Sequence, residues 1–145
     1  CITTDIIVGF PGETEADFLE TLDIVEKCQF DGAYTFIFSP REGTPAALME
    51  DCTPMEEKEN RLQRLNERIN FYSRKSNEKL LGNVVSVLIL GASEKDASKV
   101  YGYTDTMKLV NVEASKNMIG KIIPVEITDA KSFSLDGVEK HVVVE

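Results

Sequence analysis

Cysteine and histidine are scarce in this chain, and their scarcity excludes several kinds of site. The three cysteines among 145 residues are Cys1, Cys28 and Cys52, and no two of them have the spacing of an iron–sulfur motif. His141 is the single histidine, so it forms neither a metal site nor a catalytic pair, and we assign it no role. We therefore predict no metal ligands and no catalytic residues here. Three cysteines without the spacing of a disulfide framework also predict a reducing, cytoplasmic location.

Long apolar runs and a strong basic charge are lacking as well. No run approaches the roughly 20 apolar residues that span a bilayer, so we predict no membrane partner. The net charge is −9, from 16 basic and 25 acidic residues. Residues 1–55 carry 11 acidic and two basic residues, whereas residues 56–79 carry five acidic and seven basic ones. A nucleic acid would therefore have to contact a local basic patch.

The beginning of the chain has the pattern of a β-α-β unit. Apolar and β-branched residues predict strands over Ile2–Val8 and Ala33–Phe38, and helical periodicity predicts a helix over Glu15–Cys28 between them. Thr14 can cap this helix together with Asp17, three residues later. Two strands and one helix cannot bury a core alone, which suggests that neighbouring strands are missing. Ligands commonly bind where a parallel strand leads into its helix, so the turn before this helix is the first candidate site.

The candidate turn is rich in glycine and ends in an acid. It consists of Gly9, Phe10, Pro11, Gly12 and Glu13. It is not a phosphate-binding P-loop, because no lysine follows and the acidic residues around it repel phosphate. A ligand with a cationic centre and hydroxyl groups suits it better, although the two glycines could simply permit a tight turn. Arg41, just after the second strand, either contacts a ligand carboxylate or RNA, or forms an ion pair with Glu13 or Glu42.

A long helix with a basic face follows. Thr53 as N-cap and Pro54 at the first position predict its start, and it should extend to about Lys79. Arg64 and Arg68 lie on one face, without an acidic residue four positions before either of them. They form either a solvated face or a stripe that meets RNA phosphates. The apolar stripe beside them consists of Leu62, Leu65, Ile69 and Tyr72.

The last part of the chain changes to short runs of β-branched residues. We predict strands over Val84–Leu90, Leu109–Glu113, Ile122–Thr128 and His141–Val144, with turns marked by Gly91, Gly102, Gly120 and Gly137. Short strands of this kind indicate a small antiparallel barrel, related to OB-like folds that bind single-stranded or looped RNA. Aromatic rings can stack on bases and lysines can meet phosphates, which makes RNA-binding candidates of Tyr103, Lys108, Lys131 and Phe133. Phe133 could equally fill the barrel interior.

Several stretches are similar to those of a known enzyme family. Residues 4–14 (TDIIVGFPGET) and 36–47 (FIFSPREGTPAA) resemble the end of the radical-SAM domain of the methylthiotransferases, most closely the MiaB-type branch that modifies adenosine in tRNA. From about Leu80 onward the chain resembles a TRAM domain, the small RNA-binding barrel of these enzymes. The stretches that carry this second resemblance are Tyr101–Thr104, Lys108–Asn111 and Thr128–Gly137.

The resemblance implies a fold of two parts, α/β followed by all-β. Residues 1–79 would be the last βαβ unit of a partial (β/α) radical-SAM barrel together with a connecting helix. Residues 80–145 would be a small, antiparallel, OB-like TRAM barrel that binds RNA. The resemblance covers nearly all of the chain.

The activity that the resemblance implies is methylthiolation of C2 of N6-isopentenyladenosine next to the anticodon of tRNA. Such enzymes use S-adenosyl-L-methionine, which the glycine-rich turn and Arg41 would contact, and two 4Fe–4S clusters. The RNA partner would be the anticodon stem-loop, contacted by Arg64, Arg68 and the four barrel candidates. The alternatives are an enzyme that acts on threonylcarbamoyl-adenosine in tRNA or on a ribosomal-protein aspartate, and a non-catalytic RNA-binding module.

The absence of the cluster cysteines leads us to interpret the chain as the C-terminal part of a longer enzyme. On its own it is expected to be inactive and to hold none of the cofactors. Its partner would then be the missing N-terminal part of the same enzyme. The incomplete sheet would leave an open edge, through which copies of the chain could associate.

Overall fold

The computed structural model describes residues 1–94, 96 and 98–140. The predicted strand over residues 141–144, with His141, therefore lies outside the described residues. The chain divides into two compact units, Ile2–Tyr72 and Ser73–Glu145, and the division falls inside a long helix. The predicted domain boundary between residues 79 and 80 remains a prediction. Among the described residues, no helix combines the length and the apolar character needed to cross a membrane.

The first unit is a parallel β-α-β arrangement followed by most of a long helix. Its elements are β1 (Thr3–Val8), α1 (Glu15–Cys28), β2 (Gly32–Ile37), a 3₁₀ helix (Pro45–Leu48) and the first part of α2 (Met55–Glu78). β1 and β2 pair in parallel, with Val8 opposite Ile37. The β-α-β prediction is confirmed: the bounds of α1 and the end of β1 are as predicted, and the other strand bounds are shifted by one residue. The long helix begins at Met55, directly after Pro54, and ends one residue before the predicted Lys79.

Local signals explain where α1 begins and ends. The hydroxyl of Thr14 accepts a hydrogen bond from the backbone N–H of Asp17, and the Asp17 carboxylate accepts one from the N–H of Thr14. This is the predicted capping box. Gln29 ends the helix in the left-handed conformation, with φ of 48°. Phe18 and Val25 lie on the buried face, as their spacing indicates.

The core of the first unit lies on one face of the two-stranded sheet. The buried apolar residues are Val8, Phe18, Val25, Leu65, Ile69 and Tyr72. The predicted apolar stripe of α2 is confirmed, because three of its members belong to this core and Leu62 packs against it. The other face of the sheet exposes Ile7 and Phe36, which are opposite one another in the register. The sheet therefore buries only one of its faces within this unit.

The second unit contains a closed five-stranded barrel. Its strands are β3 (Val84–Ala92), β4 (Val100–Thr104), β5 (Leu109–Glu113), β6 (Ile122–Ala130) and β7 (Leu135–Glu139), paired in the order β3-β4-β5-β7-β6. The prediction of a small antiparallel barrel is confirmed, with one parallel pair, β5 and β7, that the sequence did not indicate. The sequence pattern also gave no strand at β4 or β7. The interior is filled by Val87, Ile89, Val100, Val110, Val112, Ile123, Val125, Ile127, Ala130 and Leu135.

Three of the four glycines that we predicted to mark turns, namely Gly91, Gly102 and Gly137, lie inside strands instead. Gly102 is in the middle of β4, and a Cβ atom there would lie 2.1 Å from the backbone oxygen of Leu88 on β3. Gly137 is in the middle of β7, where a Cβ atom would lie 2.7 Å from the backbone oxygen of Glu126. Both glycines therefore permit a close approach of neighbouring strands, which no larger residue allows. Gly120, with φ of 85°, does lie outside the strands.

We predict that Gly102→Ala lowers the free energy of unfolding of the barrel by about 3 kcal/mol, since the added methyl group must displace backbone atoms of β3. Urea unfolding followed by circular dichroism measures the change. Gly32→Ala is the control, because a Cβ atom at Gly32 would meet its nearest neighbour, a methyl group of Thr3, at 3.8 Å. Equal stability of the two variants would show that β3 and β4 can separate at no cost.

Candidate functional site

The glycine-rich turn after β1 is closed by its own hydrogen bonds. The backbone N–H of Gly9 donates to Oε1 of Glu13 at 3.0 Å, and the N–H of Glu13 donates to the carbonyl of Phe10 at 2.9 Å. Gly9 has φ of 70° and Gly12 has φ of 86°, a conformation that favours glycine. The side chain of Glu13, the last residue of the turn, thus binds the backbone of Gly9, its first residue.

A buried arginine on α2 holds the same carboxylate. The Arg61 guanidinium, only 2% exposed, donates to Oε1 of Glu13 at 2.8 Å and to the Glu13 carbonyl at 3.0 Å. It also pairs with Glu57, one turn earlier on α2. Its Nε has no hydrogen-bond partner among the described residues and lies 3.7 Å from Oε2 of Glu15. Burial opposes the positive charge, but the hydrogen bond to Glu13 and the charges of Glu57 and Glu13 raise the pKa of Arg61 above its usual value.

A buried lysine on α2 supports the other end of the turn. The side chain of Lys58 forms an ion pair with Asp51, and its methylene groups pack directly on Gly9. A Cβ atom on Gly9 would lie 2.7 Å from Cγ of Lys58. Gly9 therefore meets two requirements at once, a positive φ and a close contact. The turn is supported by α2 at both of its ends, by Lys58 and by Arg61.

The accessible part of the turn faces the segment that follows β2. The ring of Phe10, 42% exposed, meets Phe38 edge to face at a centroid distance of 5.1 Å. The N–H of Phe38 donates to the carbonyl of Val8 at 2.8 Å, so both segments leave the sheet at the edge formed by the carboxyl ends of its strands. Ligands of parallel sheets bind at such an edge. Gly12 is exposed, with open space around it, whereas Pro11 is buried.

Arg41 is exposed and continues this segment. Its carbonyl accepts a hydrogen bond from Thr44, the residue that caps the 3₁₀ helix. Within the described residues it forms no ion pair with Glu13 or Glu42, so that interpretation of Arg41 is wrong: the carboxylate of Glu13 is bound by Arg61 instead. Phe10, Gly12 and Arg41 are therefore the predicted cofactor-binding residues that a ligand can reach, and Glu13 serves the turn itself.

The residues present do not fit an iron–sulfur cluster. All three cysteines are exposed, and no three histidine, cysteine, aspartate or glutamate side chains in the described part of the chain come together as a metal site. Cluster ligation needs several thiolates around one iron centre. Nothing in the geometry of residues 1–94, 96 and 98–140 supplies them.

The two arginines of the predicted phosphate stripe face acidic side chains of α1. Arg64 pairs with Glu15 at 2.7 Å and lies over the ring of Phe18, with Cζ 4.8 Å from its centroid. Arg68 pairs with Glu26, which also accepts a hydrogen bond from Tyr72. These hydrogen bonds, from Arg68 first and Tyr72 second, hold the pKa of Glu26 below its usual range. Sequence spacing within α2 could not show these partners, because they belong to another helix.

The two barrel lysines also have partners within the chain. Nζ of Lys108 donates to Oδ1 of Asn77 at 2.7 Å and to Oγ of Ser76 at 3.1 Å. Nζ of Lys131 pairs with Asp136. The Asn77 side chain in turn donates to the carbonyl of Lys131 at 2.7 Å. Asn77 was not predicted from the sequence, because it is buried at the end of α2 and no sequence motif indicates it.

The two aromatic candidates occupy different environments. Phe133 is 76% exposed, so the interpretation that it fills the barrel is wrong. Tyr103 is half-buried on β4, opposite Leu109 of β5. Met107, which was not predicted either, is 74% exposed and has φ of 61°. A positive φ cannot be seen in the sequence at a methionine, because that residue has no preference for it.

Known proteins are similar to this chain both in the barrel and over nearly its whole length. Residues 78–138 match the family model of the TRAM domain. This part of the chain is therefore similar to a TRAM domain. The chain is 54% identical over 136 residues to a protein of Bacillus cytotoxicus. This alignment covers 94% of the chain and 27% of that protein. The chain is also 53% identical over 144 residues to a protein of Oceanobacillus iheyensis, and this alignment covers 99% of the chain and 28% of that protein.

Both relatives are named tRNA-2-methylthio-N(6)-dimethylallyladenosine synthase. A protein of Bacillus anthracis with the same name is 49% identical over 146 residues. The chain spans about 27% of the length of the first of these relatives. The similarity extends upstream of the TRAM domain and therefore includes the glycine-rich turn and α2.

We predict that Arg61→Met lowers the free energy of unfolding of the first unit by about 3–5 kcal/mol, because it leaves the Glu13 carboxylate without its buried partner. Hydrogen exchange at the Gly9 amide should accelerate as the turn loosens. Arg64→Met on the same helix is the control, with an expected cost below about 1 kcal/mol, since its ion pair is partly exposed. A small effect of Arg61→Met would mean that the turn keeps its conformation without α2.

We also predict that Glu26→Gln weakens the acid sensitivity of the first unit. The pKa of Glu26 is lower in the folded state than in the unfolded state. The ionised Glu26 carboxylate therefore adds to the free energy of unfolding above the usual glutamate pKa of about 4.3. This contribution is lost as the pH falls through the lower pKa of the folded state. The variant should be less stable than the wild type at neutral pH and lose less stability on acidification. Acid titration of thermal unfolding measures this, with Glu20→Gln, an exposed position on the same helix, as the control.

Proposed function

We propose that this chain works as part of an enzyme that methylthiolates C2 of N6-dimethylallyladenosine, also called N6-isopentenyladenosine, next to the anticodon of tRNA. The observation that carries the proposal is the identity of about half of all positions, over nearly the whole chain, to relatives with that activity in their name. The chain spans about 27% of the length of the first relative. The cluster ligands that this chemistry needs would therefore come from parts of the enzyme outside these 145 residues.

The role of the first unit in this proposal is to contact S-adenosyl-L-methionine, which supplies the methyl group when bound. The exposed ring of Phe10 can pack against an adenine, and the open space at Gly12 lets a ligand approach the backbone. Arg41 can pair with a carboxylate. Glu13, Lys58 and Arg61 would keep the turn in place without touching the ligand.

The role of the TRAM domain in this proposal is to contact tRNA near the anticodon stem-loop. The candidates for phosphate contacts are Arg64 and Arg68 of the first unit and Lys108 and Lys131 of the barrel. Each of them already has a partner within its own unit. A phosphate would have to displace that partner or share the cation with it. We further propose a cytoplasmic location, where tRNA is modified.

We also propose that copies of the chain associate through the sheet of β1 and β2. Among the described residues this sheet has only these two strands, so each strand leaves one edge open for pairing.

Two other functions are weaker candidates. Enzymes that act on threonylcarbamoyl-adenosine or on a ribosomal-protein aspartate would carry a similar turn and barrel, but the relatives are named for dimethylallyladenosine. A non-catalytic RNA-binding module would need only the TRAM domain. The similarity of the first unit, including the turn that α2 supports, favours a role in the enzyme.

A chimeric enzyme tests the proposal. We predict that the Bacillus cytotoxicus relative, with its matching segment replaced by this chain, restores the 2-methylthio group on dimethylallyladenosine in a strain that lacks its own enzyme. Mass spectrometry of tRNA nucleosides measures the product. A chimera with Arg41→Ala should lose most of the activity, and one with Lys116→Ala, an exposed lysine of the barrel, should keep it. A folded chimera that modified threonylcarbamoyl-adenosine instead would assign the chain to the other branch.

A further inference from the structure

Two loops of the TRAM domain lie side by side at one end of the barrel. Residues 105–108 lead into β5, and residues 131–134 lead into β7. β5 and β7 are parallel neighbours, with Val110 opposite Leu135. Neighbouring strands are about 4.8 Å apart, so loops that precede paired residues of two parallel strands must be adjacent. The one parallel pair among the described strands of the barrel therefore brings these loops together.

Hydrogen bonds connect the end of α2 to both loops. The Asn77 side chain accepts a hydrogen bond from Lys108 of the first loop and donates one to the carbonyl of Lys131 in the second. Ser73, one turn earlier, donates to the carbonyl of Ser132 at 2.5 Å. Asn77 and Ser73 are both buried. The position of each loop is thus fixed by α2 as well as by its own strands.

Each loop presents a large apolar side chain to solvent. Met107 in the first loop is 74% exposed, and Phe133 in the second is 76% exposed. Met107 also has φ of 61°, a conformation in which glycine or asparagine is relaxed and other residues are strained. The strain is held by hydrogen bonds of Thr104 with Lys108 and with the N–H of Met107. A methionine at this position costs stability and projects its side chain outward.

The positive charges of the same loops are already neutralised or hydrogen-bonded. Lys131 pairs with Asp136 and lies 3.9 Å from Asp129, and these carboxylates raise its pKa above the usual value. Nζ of Lys108 is held by Asn77 and Ser76. A surface of this kind attracts the phosphate backbone weakly, because phosphate affinity depends on cations that can exchange their counterions. The exposed apolar side chains of the two loops therefore lie beside lysines that already have hydrogen-bond or ion-pair partners.

We propose that Met107 and Phe133 form a platform for unpaired nucleotides of RNA, with Phe133 stacked on one base and Met107 packed against a neighbouring one. The proposal rests on the proposed function in one respect, that the partner of the TRAM domain is RNA. Bases in a duplex are stacked inside the helix and cannot reach such side chains, whereas bases in a loop can be splayed out. The anticodon loop is the unpaired part of the proposed substrate.

The experiment measures the affinity of the 145-residue chain for a fluorescent anticodon stem-loop RNA and for a duplex of the stem sequence alone. The wild type should bind the stem-loop more tightly than the duplex. Phe133→Ser should weaken stem-loop binding about five- to a hundredfold, as expected for loss of one stacked base. Met107→Gly should weaken it about two- to tenfold, as expected for a thioether against an aromatic ring. Phe133→Trp should retain or increase the affinity.

Two controls separate binding from folding. Ile122→Ala removes an exposed apolar side chain from β6, which belongs to neither loop, and should leave the affinity unchanged. Met107→Gly relieves the strained conformation, so it should raise the melting temperature of the barrel while it lowers the affinity. Weaker binding by a more stable protein cannot result from misfolding.

The outcomes distinguish this inference from the proposed function. Stem-loop binding that is unchanged in Phe133→Ser and Met107→Gly would overturn the platform and leave the proposed function standing. Equal binding of stem-loop and duplex would overturn the preference for unpaired bases. Failure of the wild type to bind any RNA would overturn the platform and the RNA-binding role of the TRAM domain together, whereas the chimera tests the enzymatic role separately.

Discussion

The buried positive charge of Arg61 is the constraint on which the first unit depends. Removing a guanidinium from water costs several kcal/mol, and only close carboxylates with good geometry compensate for this cost. Glu13 at the turn and Glu57 on α2 supply them. Satisfying one charge therefore fixes the distance between α2 and the end of β1. The conformation of the turn follows, because the carboxylate that binds Arg61 also accepts the hydrogen bond from Gly9.

A different constraint governs the barrel, namely the close approach of backbones. Gly102 and Gly137 leave no room for a side chain where β4 meets β3 and where β7 meets β6. Small barrels have tight curvature, and glycine at such contacts lets neighbouring strands lie close together. The parallel pairing of β5 and β7 then sets which loops are neighbours. Loop adjacency, and with it the exposed pair of Met107 and Phe133, is a consequence of how the sheet closes.

The parts of this structure that could be predicted from the sequence are those with local causes. The bounds and capping box of α1 were predicted because Thr14 and Asp17 act on the next turn of the same helix. The strands β4 and β7 were not, because each contains a central glycine that is indistinguishable in sequence from a turn residue. The pairing of Arg61 with Glu57, one turn earlier on the same helix, was predictable from the spacing. The distant partners of Arg61 and Arg68 were missed for a related reason: Glu13 and Glu26 are 48 and 42 positions away in the chain. Local patterns carry no information about contacts of that separation.

The uneven charge along the chain has a structural explanation that changes how the basic face of α2 is understood. Residues 1–55 have a large acidic excess and residues 56–79 a basic one. Glu13, Glu15 and Glu26 of the acidic segment contact Arg61, Arg64 and Arg68 of the basic one. These arginines are therefore neutralised within the unit, while residues 1–79 as a whole keep an acidic excess of 16 acidic against nine basic residues. A basic stretch of sequence need not be a basic surface. For the proposed RNA-binding role, electrostatic attraction alone is then a poor basis, and that role requires contacts with bases to contribute much of the binding free energy.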